Sequence, residues 1–323
     1  MRIVHAANFQ YKNHGQAFGN QDQKLQHGFI ENGHFSYLFP VNDIARQLSW
    51  RNSKNGGAQR MNASFVETCK KVQPDVLVLG HGQLLTRDSI EQVRLALPDL
   101  KILQWFVDPM LYPRVYQFIH DRLDLLDAVY LTTGGEHLAQ FQTDSCEAHF
   151  FPNVVHSDIE KYRAFESTEF QHDLIFVGND AKDPARRELL SQLDSKLSKK
   201  FDLGIYGSLG RPGIHGKERD TLFQNSKASL NLTRHSPMKW YSSDRIAQLL
   251  GNGLLTCTHT DADLHEIYGS DTLITYSTPE ELTEKLDHSF ASGEWKTIAR
   301  NGWEKVHSEH SATLISAQML NRL

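Results

Sequence analysis

The chain has 323 residues, 39% of them hydrophobic, and a formal net charge of −5. These are the values of a soluble globular protein large enough for two ordinary domains, and the charge excludes a global basic field for nucleic acid. No segment approaches the apolar length that spans a bilayer, and MRIVHAANF, with one arginine and a short apolar run, does not read as a signal peptide. Three scattered cysteines, Cys69, Cys146 and Cys257, argue against a disulfide framework and for a reducing, cytoplasmic setting.

From the start, apolar runs alternate with helical patterns. Arg2–Asn8 reads as a buried strand, then a helix with Leu25, Phe29 and Ile30 on one face, then the strand FSYLFP and the short helix VNDIARQLSW. A polar loop, RNSKNGGAQR, leads to the helix NASFVETCKKV and the β-branched strand Asp75–Gly82. Helix TRDSIEQVRLAL, strand KILQWFVDP, helix PRVYQFIHDRLDLL, strand AVYLTTG, helix GEHLAQFQ and strand AHFFPN follow. This spacing predicts crossover units and a parallel sheet covered on both faces, over residues 1–155.

The pattern breaks over 156–172, which is polar, lacks a clear period and is expected to be a linker. A second cycle opens at DLIFVGND, Asp173–Asp180. It runs through helix DPARRELLSQLDSKLSK, strand FDLGIYG, the glycine-rich loop SLGRPGIHG, helix ERDTLFQNSK, strand ASLNLT, helix SSDRIAQLLG and strand LLTCTH. A short helix DLHEIY, strand TLITY and helix PEELTEKLDHSFA complete a second domain over 173–305. The remainder, 306–323, is expected to be helical and to pack back on the first domain. The fold class expected is α/β, with two Rossmann-like parallel-sheet domains facing a cleft. Ligands of such sheets bind beyond the carboxyl ends of the strands.

The residues just after each strand are therefore the candidates. After the first strand, Lys12, His14, Gly15 and Gly19 form either a ligand-facing loop, where glycines admit close backbone approach, or a plain connection. His81 sits between Gly80 and Gly82 as a base, a donor or a surface turn residue. Asp108, held by Pro109, is a general-base candidate or a helix cap. In the second half, Gly178-Asn179 and Tyr206-Gly207 end strands, and Asn231 lies in one with Arg234 after it. The stretch SSDRIAQLLGNGLLTCTHTD follows. Ser242 and Ser243 are expected to open and cap a helix, Arg245 to pair with a phosphate, and Gly253 to make a tight turn. Capped helix and turn, without a ligand, is the other reading.

Other signals are weaker. Asp261 and Asp263 have a DxD spacing but precede a helix, where aspartate caps, so no metal site is assigned. The 17 histidines form no zinc pattern, and His307 and His310 read as surface residues of the last helix. No nucleophile elbow, phosphate loop or dinucleotide fingerprint is present. The basic stretch carrying Arg51, Lys54, Arg60, Lys70 and Lys71 is either a solvated face or a contact for anionic lipid.

Taken together, FVGND, then Ser243, Arg245, Gly253, Leu255 and Thr256, then DLHEIYG and STPEEL resemble the GT-B glycosyltransferases. The bacterial group related to the spore-maturation protein CgeB is the most similar. The likeness reaches the N-terminal FQYKNHGQAFGNQDQKLQHGFIENGH and covers most of the chain. One departure is Gln248, where these families usually carry glutamate; glutamine still bonds but has no charge. The resemblance implies a nucleotide-sugar substrate and no cofactor. The acceptor is expected to be a carbohydrate or glycolipid, in surface polysaccharide or lipopolysaccharide synthesis, in the cytoplasm or peripheral to the inner membrane face. Gly178, Asn179, Tyr206, Gly207, Asn231, Arg234, Ser242, Ser243, Arg245, Gln248 and Gly253 would bind the donor without metal. Lys12, Gly15 and Gly19 would face the acceptor, and Asp108, His14 or His81 would deprotonate it. A non-catalytic binding protein of the same fold, or a sugar-nucleotide epimerase, are the alternatives.

Overall fold

The computed structural model describes every residue except 111, 181, 182 and 234–237. The chain forms two compact units, one of Met1–Phe151 with Ala312–Leu323 and one of Pro152–Ser311. Each is an α/β unit on a parallel sheet, of six strands in the first and five in the second.

The first sheet holds β1 (Arg2–Ala7), β2 (Phe35–Pro40), β3 (Val76–Leu79), β4 (Lys101–Phe106), β5 (Ala128–Leu131) and β6 (Glu147–Phe150), in the order β2-β1-β3-β4-β5-β6. Its crossovers are α1 (Gln21–Glu31), α2 (Val41–Gln47), α3 (Ala58–Val72), α4 (Arg87–Ala96), α5 (Pro113–His120) and α6 (Gly135–Ala139). The inner strands are buried along nearly their whole length, so their sequences run apolar instead of alternating. Edge strand β2 leaves Phe35 and Tyr37 exposed. Asn20 and Thr86 cap α1 and α4 by accepting N–H bonds from Gln23 and Ser89. The helix expected over 113–126 stops at His120, and one 3-10 turn, Leu123–Leu125, follows.

The second sheet holds β7 (His172–Val177), β8 (Leu203–Tyr206), β9 (Ser226–Asn231), β10 (Leu255–His259) and β11 (Ile274–Tyr276), in the order β11-β10-β9-β7-β8. Its helices are α7 (Pro184–Leu197), α8 (Gly216–Gln224), α9 (Arg245–Gly251), α10 (His265–Tyr268), α11 (Pro279–Ser292) and α12 (Trp295–Glu309). Leu174, Phe176, Leu190, Leu193, Leu230, Leu255, Leu282 and Leu286 make its main core. In both sheets the chain changes direction beside its first strand, between β1 and β3 and between β7 and β9. Such a switch point opens a crevice at the carboxyl ends of the strands.

Three features differ from expectation. Residues 156–172 are not a linker: Ala164, Phe165 and Glu160 are buried in the second unit, Ala164 N–H donates to Asn252 O at 3.0 Å, and His156 N–H donates to Glu160 Oε2 at 2.9 Å. The segment's polarity masked it, because its few apolar side chains have no period. The C-terminal stretch is two helices, broken after Glu309, and only the second, α13 (Ala312–Asn321), belongs to the first unit. It lies on α1 so closely that a Cβ at Gly28 would stand 2.3 Å from Ala312 O. His307 and His310 are not surface residues. His307 Nε2 lies 3.0 Å from Gly251 O, and His310 packs edge-on to Tyr268, with burial holding its pKa down to about 4.

Candidate functional site

In the second unit a cavity of about 560 Å³ opens where β7 and β8 end and α9 begins. Arg245, the first residue of α9, reaches back across the switch point. Its Nε donates to Val177 O and its Nη1 to Leu232 O, both at 2.8 Å, so the guanidinium bridges the ends of β7 and β9. It also lies over the Phe176 ring, 5.0 Å from the centroid, and Arg186 lies over the same ring at 5.2 Å. Arg186 Nη1 donates to Asn179 O at 3.1 Å.

Two glycines make room for this. A Cβ at Gly178 would stand 2.7 Å from Arg245 Nη2 and 2.9 Å from Arg186 Nη2. Gly207 has φ +80 and would put a Cβ 2.8 Å from Gly178 O, so the β7 and β8 ends approach as only glycine allows. The loop after β8 folds back through Gly207 N–H donating to Pro212 O at 2.9 Å, and it brings Arg211 and His215 to the cavity. Arg219 and Phe223 of α8 also line it. Arg211 is held by Asp194 at 2.8 Å, and Arg219 stands 4.0 Å from Asp220. With Arg245, three guanidiniums line one cavity, a field that favours a multiply charged anion and offers it planar, forked donors.

The opposite chemistry comes from α9 and the residue before it. Gln248 and Asp244 line the cavity too, and Gln248 Nε2 donates to Asp244 Oδ2 at 2.8 Å. Tyr206, at the rim, is held by a 2.9 Å bond between its hydroxyl and His172 Nε2, and burial raises its phenol pKa.

Of the donor-side residues expected from sequence, Gly178, Asn179, Tyr206, Gly207, Ser243, Arg245 and Gln248 line this cavity. Three others serve the scaffold. Asn231 is buried and donates from Nδ2 to Ser242 Oγ at 3.1 Å. Ser242 is buried, and its carbonyl accepts Asn153 Nδ2 at 3.0 Å. It does not open the helix, since α9 begins at Arg245 with no side-chain cap; the serines therefore do not build the expected phosphate-binding helix start. Gly253 turns the chain at φ +74 against Phe165. Arg234 lies outside the described residues.

In the first unit, His81 and Asp108 come together, with Nε2 4.0 Å from Oδ2. His81 is wedged between Trp105 and Phe106, ring centroids 5.3 and 4.4 Å away. Burial lowers its pKa, and the Asp108 charge opposes that shift. His14 sits in a left-handed turn at φ 49, with its N–H donating to Tyr11 O; no hydrogen bond or ion pair links it to His81 or Asp108 among the described residues. Lys12 N–H donates to Asp43 Oδ1, Gly15 takes φ +83, and Gly19 is buried. Asp263, His265 and Glu266 place ligand atoms within 4.8 Å of one another. Glu266 is already engaged by Lys239 at 3.0 Å and by Trp240 Nε1 at 2.8 Å.

Residues 186–321 match the family model described as glycosyl transferase-like. No curated protein sequence matches the chain. Among solved structures, sucrose-phosphate synthase from Thermosynechococcus elongatus is similar at a TM-score of 0.69 and 11% identity, with 99% of this chain and 98% of that one covered. A glycosyltransferase from Rickettsia africae gives 0.62 and 13%, over 99% and 97%. Anabaena HepE in complex with UDP-glucose gives 0.59 and 11%, over the whole of both chains. The architecture is that of the GT-B glycosyltransferases, and with the family match over residues 186–321 it supports a glycosyltransferase.

Proposed function

We propose that the protein transfers a sugar from a nucleoside-diphosphate donor, of the UDP-sugar class, to a hydroxyl of a carbohydrate or glycolipid acceptor in surface polysaccharide or lipopolysaccharide synthesis. The observation that carries this reading is Arg245, locked across the ends of β7 and β9 beside Gly178 at the wall of a cationic cavity. HepE, of the same architecture, carries UDP-glucose.

In this reading the acceptor oxygen attacks the anomeric carbon as the sugar–phosphate bond breaks, and the bonding pair leaves on the diphosphate. Arg245, Arg219 and Arg211 stabilise that developing charge in place of a metal. Neutral His81 takes the acceptor proton, and Asp108 stabilises the imidazolium that results. Asn179, Tyr206, Gly207 and Ser243 shape the donor cavity, Asp244 and Gln248 accept and donate at its neutral part, and Lys12, Gly15 and Gly19 serve the acceptor. A binding protein without turnover is the second reading, because Gln248 carries no charge for chemistry.

Calorimetry with UDP and UDP-glucose, with and without EDTA, on wild type and Arg245→Ala tests the proposal. Binding that survives EDTA and is lost in the variant is expected. A folded wild type that binds neither compound overturns it, and binding with no hydrolysis or transfer leaves the second reading.

A further inference from the structure

Two exposed aromatic residues stand near the two ends of α2. Trp50, in the turn after α2, is 96% exposed, and Tyr11 is 52% exposed. An indole left in water forgoes the burial that stabilises nearly every other tryptophan. The charges flanking it along the chain have one sign. No aspartate or glutamate occurs between Asp43 and Glu67, while Arg46, Arg51, Lys54 and Arg60 do. Among the described residues, Arg51, Lys54 and Arg60 pair with no carboxylate.

Asp43, the single acid here, is consumed internally. It accepts the N–H groups of Tyr11 and Lys12 at 3.1 and 3.4 Å and meets Arg46 Nη1 at 3.4 Å. Those bonds fasten Tyr11 and Lys12 to the first turn of α2. Trp50 stands at the other end, about 10 Å away by the rise of a seven-residue helix. The Trp50 turn is held as well: Ser49 Oγ accepts the N–H groups of Arg51 and Ser53, both at 3.3 Å, and Arg60 Nη1 donates to Leu48 O at 3.2 Å, which draws Arg60 beside it.

We infer that this face docks the protein on an anionic lipid surface. Trp50 and Tyr11 would sit at headgroup depth, and Arg51, Lys54 and Arg60 would meet the lipid phosphates. Tyrosine and tryptophan favour that depth because one end of each ring system is apolar and the other hydrogen-bonds. Clustered cations add attraction that decays within a Debye length of the surface. No described helix is long and apolar enough to cross a membrane. A projecting turn with one indole suits a flat surface. Single-stranded nucleic acid calls instead for a groove with successive stacking platforms.

The test is co-sedimentation of the full chain with phosphatidylcholine vesicles, with and without phosphatidylglycerol, at low and high salt. Trp50→Phe and the triple variant Arg51→Gln/Lys54→Gln/Arg60→Gln are compared with wild type. All are exposed changes, and far-ultraviolet dichroism with thermal unfolding confirms that they fold. Expected is binding to the anionic vesicles only, weakened by salt and by about fivefold for each cation removed. A blue shift of tryptophan emission on binding is expected in wild type and absent in Trp50→Phe. Three results overturn the inference: no binding to anionic vesicles at low salt, equal binding by wild type and triple variant, or a blue shift retained in Trp50→Phe. Tighter binding of an oligodeoxythymidine than of vesicles, with no lipid-dependent shift, assigns the face to nucleic acid. None of these outcomes bears on the donor cavity, which Arg245→Ala tests separately.

Discussion

Gln248 lies one helical turn after Asp244 on the same wall of the cavity, and its Nε2 donates to Asp244 Oδ2 at 2.8 Å. The amide is oriented by a carboxylate that is itself part of the site. Restoring a carboxylate at 248 would therefore place two like charges in contact. Gln248→Glu is expected to weaken UDP binding roughly tenfold, and Asp244→Asn/Gln248→Glu to recover it. Calorimetry on the two variants decides; a Gln248→Glu protein that binds UDP more tightly than wild type refutes the pairing.

Arg245→Lys is expected to fail almost as fully as Arg245→Ala. One ammonium cannot hold the Val177 and Leu232 carbonyls and still present a fork to a diphosphate. The loss for either is on the order of a hundredfold in affinity. Titration with UDP checks this, and a lysine variant within a few-fold of wild type counts against it.

Gly178→Ala tests the same geometry without removing a charge. Its methyl would lie 2.7 Å from Arg245 Nη2 and 2.9 Å from both Arg186 Nη2 and Phe176 Cζ, so the guanidiniums must shift to admit it. The expected outcome is a folded protein with UDP affinity lowered roughly tenfold, on the scale of one charged hydrogen bond. Unchanged affinity would mean that the arginine positions do not matter to the ligand.

His81 is held below its ordinary pKa by burial. It is therefore the free base at neutral pH, and transfer should fall only as pH drops below about 6.5, through that lowered value. His81→Ala and Asp108→Asn are expected to cut turnover by about 10²-fold or more while leaving UDP affinity intact. A pH–rate profile on wild type and both variants reads this. Loss of nucleotide binding instead would show a structural role.

His5 offers a stability test. It is fully buried, with Nδ1 3.1 Å from Gln26 Oε1 and Trp105 Nε1 donating to its Nε2 at 3.3 Å, and its pKa is held down to about 4. The folded state binds this proton less readily than the unfolded chain. Stability is thus undiminished above about 6.5 and falls as pH drops toward 4, by roughly 3 kcal/mol in full. Urea unfolding at neutral pH and near pH 5 should show the loss, and His5→Gln should reduce it.

Arg245 and Gly178 were legible because each directly follows a strand or opens a helix, where position along the chain predicts position at the sheet's end. Arg211 and Arg219 were missed. They reach the cavity only because the loop after β8 folds back on Gly207 and Pro212, a tertiary event with no local period. The glycine-rich SLGRPGIHG was the available signal. Ser242 misled for the opposite reason: a serine before an apolar helix looks like a cap, yet its hydroxyl and carbonyl are taken by Asn231 and Asn153. The sheet architecture was legible because continuous apolar strands alternate with amphipathic helices, whereas buried Phe165 and Glu160 stand in a stretch without period.

The seat of α13 on α1 has a consequence for synthesis. As the chain leaves the ribosome, the residues of the first unit emerge before those of the second but lack the helix that closes over Gly28 and bonds to Asn32 through Thr313 O. The second unit, one uninterrupted segment, is complete by Ser311. The unit translated first is thus the one sealed last. Until residues 312–321 appear, the flank of α1 that they cover stays open to solvent.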